Sequence, residues 1–94
     1  MHIQHTQFKK NIHVTRLMKA DGRLREFNFR RLNGPNGDSI FTIDVSDDRG
    51  NRILFRMQKE NNTWKIAEQQ LPTWILENEG RFNEQIEEEL RNAE

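Results

Sequence analysis

Apolar and polar residues alternate along the middle of the chain in four runs of period two. The runs cover residues 23–32, 39–46, 52–60 and 63–67, and each places its aromatic residues at a single parity. Because successive side chains of a strand point to opposite faces of a sheet, the pattern predicts four strands with one buried face and one solvated face. The short Gly-, Asn- and Asp-rich segments between them predict an antiparallel meander.

After residue 70 the period of the apolar residues changes to that of a helix. Leucine, tryptophan, isoleucine and phenylalanine recur at positions 71, 74, 75, 82, 86 and 90, with glutamates on the opposite side. Pro72 suits a first helical turn, where its missing N–H costs nothing. Gly80 costs about 1 kcal/mol relative to Ala inside a helix. The tail is therefore either one bent helix or a short helix, a break and a second helix, with Gly80 as the weak point.

The segment before residue 20 admits two interpretations. Ile12, Val14 and Met18 would line a fifth strand that ends at the turn of residues 20–22, whereas Phe8, Ile12 and Arg16 would suit a helix. The concentration of Ile, Val and Thr in residues 12–15 favours the strand.

The chain of residues 1–94 is interpreted as a single α+β domain. An antiparallel meander sheet of four to five strands carries a C-terminal helical segment packed on one face, and residues 1–10 are expected to fray. The aromatic-bearing face of the strands and the apolar stripe of the helical tail together predict a core. It consists of Phe29, Phe41, Ile43, Phe55, Trp64, Phe82 and Ile86. Trp74 is also expected in the core, with a protruding anchor as the alternative.

Charge is separated along the chain although its formal net charge is zero. Residues 1–59 contain twelve Lys/Arg and six Asp/Glu, a balance of +6, and residues 60–94 contain three Lys/Arg and nine Asp/Glu, a balance of −6. Such asymmetry bears on the choice of partner. It can equally be satisfied within the fold or between two copies of it.

The composition excludes several classes of protein and site. The chain has no cysteine, so disulfides, thiol chemistry and thiolate metal sites are absent. No apolar run is long enough for a signal peptide or a membrane span, so we expect a cytoplasmic protein without a membrane partner.

His2, His5 and His13 have no cysteine or nearby acid to complete a zinc site. The acidic segment 44–50 lacks the glycine and glutamate of a calcium loop and is interpreted as a hairpin turn. No metal or cofactor is expected.

Catalysis has little support in the sequence. There is no Cys or Tyr, no glycine-rich phosphate loop after a strand and no nucleophile elbow. Ser39 and Ser46 have no evident histidine partner. Glu26 and Asp44 would be neighbours on the solvated face, but the arginines around them predict cross-strand ion pairs instead. We expect a non-enzymatic protein.

Single-stranded nucleic-acid binding through the solvated sheet face is the alternative function. That face is basic, with Arg23, Arg30, Arg52 and Arg56. An antiparallel sheet with a basic face, followed by a helix, resembles the PUR repeat and the PC4-like and Whirly single-strand binders in architecture only. Single-strand binders also stack bases on aromatic rings. Here the aromatic residues of the strands share the core parity, which makes this alternative less favoured.

Protein–protein binding or self-association is the favoured function. The solvated face carries Leu24, Leu32, Ile40 and Leu54, and aliphatic residues grouped on one face can form the apolar centre of a contact with a charged rim. A homodimer is the simplest assembly, and a different protein partner is the other possibility. The predicted interface consists of Leu24, Ile40, Leu54, Arg30, Arg52 and Arg56.

Overall fold

The computed structural model describes residues 12–34 and 37–93, which form five strands followed by two helices. The elements are β1 (His13–Ala20), β2 (Arg23–Asn33), β3 (Ser39–Ser46), β4 (Arg52–Glu60), β5 (Thr63–Ile66), α1 (Thr73–Leu76) and α2 (Glu79–Ala93). The strands form one curled antiparallel sheet in the order β1-β2-β3-β4-β5. The predicted α+β meander is confirmed, and residues 13–20 form the fifth strand. The expected fraying of residues 1–10 concerns a segment outside the described residues.

Two-residue turns set the register of the first and last hairpins. Asp21 and Gly22 have φ of 55° and 82°, and Asn61 and Asn62 have φ of 52° and 67°. Positive φ at both central residues matches the right-handed twist of the flanking strands, and Asp, Asn and Gly tolerate this conformation better than other residues. The turns bring Ala20 opposite Arg23 and Glu60 opposite Thr63.

The core lies between one face of the sheet and the two helices. All seven predicted core residues are buried in one cluster, which also includes Phe27, Val45, Met57, Ile66 and Ile75. Phe82 of α2 is at its centre, with ring centroids 5.2 Å from Phe27, 6.4 Å from Phe29 and 5.5 Å from Phe55. Tilted aromatic contacts of this kind stabilise a core beyond the area that they bury.

The tail is a short helix, a break and a second helix, which is one of the two predicted alternatives, but the break lies at residues 77–78 and not at Gly80. Glu77 caps α1, and the side-chain amide of Asn78 donates to the Trp74 carbonyl at 2.6 Å. Its own carbonyl accepts from the Phe82 N–H at 3.0 Å and so begins α2. Gly80 falls in the first turn of α2, where the backbone N–H groups have no intrahelical acceptor to lose. Neither described helix is long and apolar enough to cross a bilayer.

Side chains of α2 reach both edges of the sheet. At β5 the backbone N–H groups of Trp64 and Ile66 donate to Asn83 and Glu79, each at 2.8 Å. At β1 the Lys19 carbonyl accepts from Arg81 at 2.5 Å. These bonds satisfy backbone groups that an edge strand otherwise presents to solvent.

Replacement of Phe55 tests the strand parity. Phe55→Ala should reduce the free energy of unfolding by about 3–5 kcal/mol, the usual cost of removing a buried phenylalanine ring. Urea denaturation followed by tryptophan fluorescence would measure the change. Gln58→Ala, at an exposed position of the same strand, is the control and should change stability by no more than about 0.5 kcal/mol. Equal stability of the two variants would contradict the assigned register.

Candidate interaction surface

The face of the sheet opposite the core, here called the open face, carries five aliphatic side chains. Leu17, Leu24 and Leu54 are 62%, 64% and 62% exposed, Leu32 is 41% exposed, and Ile40 is half-buried. Both described helices place their buried residues in the core on the other side. The predicted solvated aliphatic residues therefore lie where the strand parity placed them.

The strand register arranges these side chains in two groups and one single residue. Leu32 on β2 lies directly opposite Ile40 on β3. Leu17 on β1 is diagonal to Leu24 on β2, because Leu17 faces Glu26 and Leu24 faces Lys19. Leu54 on β4 faces Asp44. The sequence analysis did not include Leu17. Its position could have been predicted, because Val14 and Met18 of β1 point to the core and Leu17, at the other parity, points to the open face.

A row of polar side chains crosses the open face between the aliphatic groups. The Thr15 hydroxyl donates to Asn28 Oδ1 at 2.5 Å, and Asn28 Nδ2 donates to Asp44 Oδ1 at 2.9 Å. Arg52 completes the row with an ion pair to Asp44 at 2.6 Å. This row is the predicted type of cross-strand ion pairing. Because several of its hydrogen-bonding groups have partners within the chain, covering the row leaves fewer polar groups to be satisfied by a second molecule.

Arg56 is also paired within the chain. Its guanidinium lies 2.6 Å from Glu68, and its backbone N–H donates to the same carboxylate at 2.8 Å. Partial burial acts to raise the pKa of Glu68, but these hydrogen bonds and the charge of Arg56 outweigh it and hold the pKa below its ordinary value. Both Arg52 and Arg56 thus have a carboxylate partner of their own.

Glu26 and Arg30 are the two charged residues that β2 places on the open face. Both are exposed on β2, on either side of Asn28. Within residues 12–34 and 37–93, neither takes part in an ion pair or a side-chain hydrogen bond. Asp44, which the sequence suggested as a neighbour of Glu26, is directly opposite Asn28 instead. Glu26 lines a shallow cleft of about 280 Å³ together with Arg23, Asp48 and Arg52.

Arg25 is a buried cation that the sequence analysis did not single out. It lies on the core side of β2, where its Nε donates to the Ala20 carbonyl at 2.9 Å and its Nη1 lies 3.0 Å from Asp48. The guanidinium also stacks 4.4 Å from the centre of the Trp74 ring. Trp74 is half-buried against the core, as expected, and forms this stack there. Its burial could have been predicted from the sequence, because Arg25 shares the strand parity of the core residues Phe27 and Phe29.

No aromatic side chain of the described residues lies on the open face. The described phenylalanines, together with Trp64, are buried in the core, and Trp74 packs against it. His13 is exposed on β1, whereas His2, His5 and Phe8 lie outside the described residues. The part of the chain that the structure describes contains no cluster of His, Asp or Glu suited to a metal ion. The segment 44–50 is a hairpin, as predicted, with Asp47 accepting from the N–H groups of Arg49 and Asn51.

Comparisons of the chain with protein-family models, curated proteins and solved structures gave no match. A fold by itself does not determine a function. The functional argument therefore rests on the side chains of the open face and on the charges that they leave unpaired.

The two arginines that contact Asp48 make a matched pair for testing the buried cation. Arg25→Ala should reduce the free energy of unfolding by about 2–4 kcal/mol, because it removes a buried charged hydrogen bond and a cation–π contact. Arg23→Ala removes a pair with the same carboxylate, but Arg23 is 65% exposed, and its loss should cost no more than about 1 kcal/mol. Urea denaturation would measure both, and equal effects would contradict the role given to Arg25.

The lowered pKa of Glu68 predicts how stability depends on pH. The ionised form is favoured in the folded state, so its contribution is fully present above the ordinary value of 4.5 and is lost as the pH falls through the lower folded pKa. Melting temperatures of wild type and Glu68→Gln, measured from pH 7 to pH 3, should therefore converge at the acid end. The difference at pH 7 should be no more than about 1 kcal/mol, since the pair is partly solvated. A difference that grows on acidification would contradict the assignment.

Proposed function

We propose that the protein is a non-enzymatic binding module that self-associates through the open face of its sheet. The observation that carries the proposal is the placement of five aliphatic side chains on a face that no described helix covers. The proposal includes the cytoplasmic location expected from the composition. The three aliphatic residues of the predicted interface, Leu24, Ile40 and Leu54, all lie on this face together with Arg30, Arg52 and Arg56.

The energetics of the face favour a protein as its partner. Removing apolar surface from water stabilises a contact by roughly 25 cal/mol per Å², and the three most exposed leucines each present more than half of their surface. The polar row of Thr15, Asn28 and Asp44 is already hydrogen-bonded. Covering it therefore costs less than burying a row of polar groups with no partners.

Nucleic-acid binding is supported less well by the same face. Arg52 and Arg56 are paired with Asp44 and Glu68 at 2.6 Å, so a phosphate would compete with a carboxylate at each. The described residues of the open face provide no aromatic ring on which a base could stack, and base stacking is a large part of single-strand binding. These two observations favour a protein partner.

Leu54→Lys tests the proposed contact. Wild-type protein should have the mass of a dimer in size-exclusion chromatography with light scattering at high micromolar concentration, and Leu54→Lys should have the mass of a monomer. The side chain at position 54 faces away from the core, so circular dichroism should show an unchanged fold. Asn92→Lys adds the same charge at an exposed position of α2 and should leave the dimer intact.

Two other results would contradict the proposal. A wild-type protein that remains monomeric at several hundred micromolar would show that the open face does not bind a second copy. Tight binding of a labelled single-stranded oligonucleotide at physiological salt would support the alternative function instead. In that case, replacing Arg52 and Arg56 by Ala should weaken binding and reduce its salt dependence.

A further inference from the structure

We infer that two copies of the chain meet in one specific antiparallel register, in which Glu26 of each copy pairs with Arg30 of the other. The inference rests on the proposed function, because it names the partner's contacts at the same open face. It follows from the position of the two charges that β2 places on that face, Glu26 and Arg30, neither of which forms an ion pair within residues 12–34 and 37–93.

The spacing of these charges prevents a contact within one chain. Glu26 and Arg30 are four residues apart on the same strand, which at ~3.3 Å per residue separates their Cα atoms by about 13 Å. Asn28 lies midway between them, and its side chain is already bonded to Thr15 and Asp44. A single copy therefore presents one acid and one base at equal distances from a neutral centre.

A two-fold axis through this centre converts the spacing into two ion pairs. If the axis lies in the plane of the interface and perpendicular to β2, each position along the strand faces its mirror position about residue 28. Asn28 then faces Asn28, and Arg30 of one copy lies over Glu26 of the other, twice. Such an isologous contact, in which the same surface serves both copies, is typical of soluble dimers.

The same axis brings three of the five aliphatic side chains together. Leu24 and Leu32 are each four residues from Asn28, so each lies over the other residue in the second copy. Leu54 faces Asp44, which faces Asn28, and so the row of Asn28 ends at Leu54. Because this row lies along the axis, Leu54 meets Leu54 of the second copy. The register therefore places leucine on leucine at three positions and Glu26 against Arg30 at two. Asp44 lies on the axis and faces Asp44 of the second copy, with its ion-pair partner Arg52 beside it.

Arg52 and Arg56 also face each other across this axis, and their own carboxylates prevent repulsion. The two residues lie two positions on either side of Leu54 on β4. Arg52 is held by Asp44 and Arg56 by Glu68, so two neutral pairs meet rather than two bare cations. The intrachain ion pairs of the open face are thus compatible with the proposed contact.

The size of the open face suits a dimer. Between Leu24 and Leu32 it extends about 26 Å, and four strands at ~4.8 Å span about 19 Å, which gives roughly 500 Å² in projection. Leucine and arginine side chains protrude from this face, so its solvent-accessible area is larger than its projected area. A standard-size interface covers about 800 Å² per partner, so the projected area of the open face is more than half of that value before the side-chain contribution is added.

Charge reversal at the two positions tests the register. Glu26→Arg alone places arginine on arginine, and Arg30→Glu alone places glutamate on glutamate, so each should weaken self-association about tenfold or more. An equimolar mixture of the two variants should form a heterodimer, because both cross-copy pairs are then complementary. The double variant E26R/R30E should also self-associate with nearly wild-type affinity. Analytical ultracentrifugation of each sample would measure these changes.

The controls separate failure of the register from failure of the proposed function. Arg91→Glu, an exposed reversal on α2, should leave the affinity unchanged. If Leu54→Lys breaks the dimer but the mixed variants do not reassociate, the register is wrong and the proposed function stands. If wild-type protein is monomeric throughout, the proposed function itself fails. Both substituted residues are exposed, and circular dichroism of each variant would verify the fold.

Discussion

The packing of Phe82 against the sheet is the contact on which the rest of the structure depends. Its ring touches phenylalanines of β2 and β4 and so fixes α2 across the middle of the core face. A single antiparallel sheet is not stable without a hydrophobic layer on at least one side. One helical layer is enough for one face only, and this is why the aliphatic residues of the other face stay accessible.

Among the described residues, three ion pairs join the basic first part of the sequence to its acidic second part: Arg16 with Glu89, Arg56 with Glu68 and Lys59 with Glu87. Arg16 of β1 lies 2.6 Å from the buried carboxylate of Glu89, and Lys59 of β4 lies 3.5 Å from Glu87. The basic sheet and the acidic helix therefore hold each other in place. Near the start of β2, Arg25 joins the sheet to other parts of the chain, because its guanidinium contacts Asp48 of the β3–β4 turn and Trp74 of α1. On the open face, β2 keeps one acid and one base, Glu26 and Arg30, outside the ion pairs of the described residues.

The strands, their order and the core could be predicted from the sequence because period-two alternation and short turns are local signals. The position of the helix break could not, since it depends on the hydrogen bond of Asn78 to Trp74 rather than on the propensity of Gly80. Burial of Glu89 was also hidden, because its partner Arg16 is 73 residues away in sequence. The open-face positions of the leucines could be predicted from strand parity. That Glu26 and Arg30 form no ion pair among the described residues could be seen only in the structure, because it depends on where the other charged side chains lie.

Because Glu79 and Asn83 occupy backbone N–H groups of β5, a strand of another molecule cannot add to that edge without first displacing α2. At β1 the arginines at positions 16 and 81 cover the carbonyls of Thr15 and Lys19 in the same way. Open-ended growth of a sheet needs a free edge at each added copy. Each edge of the described sheet thus has backbone groups whose side-chain partners an added strand would have to displace, which works against such growth.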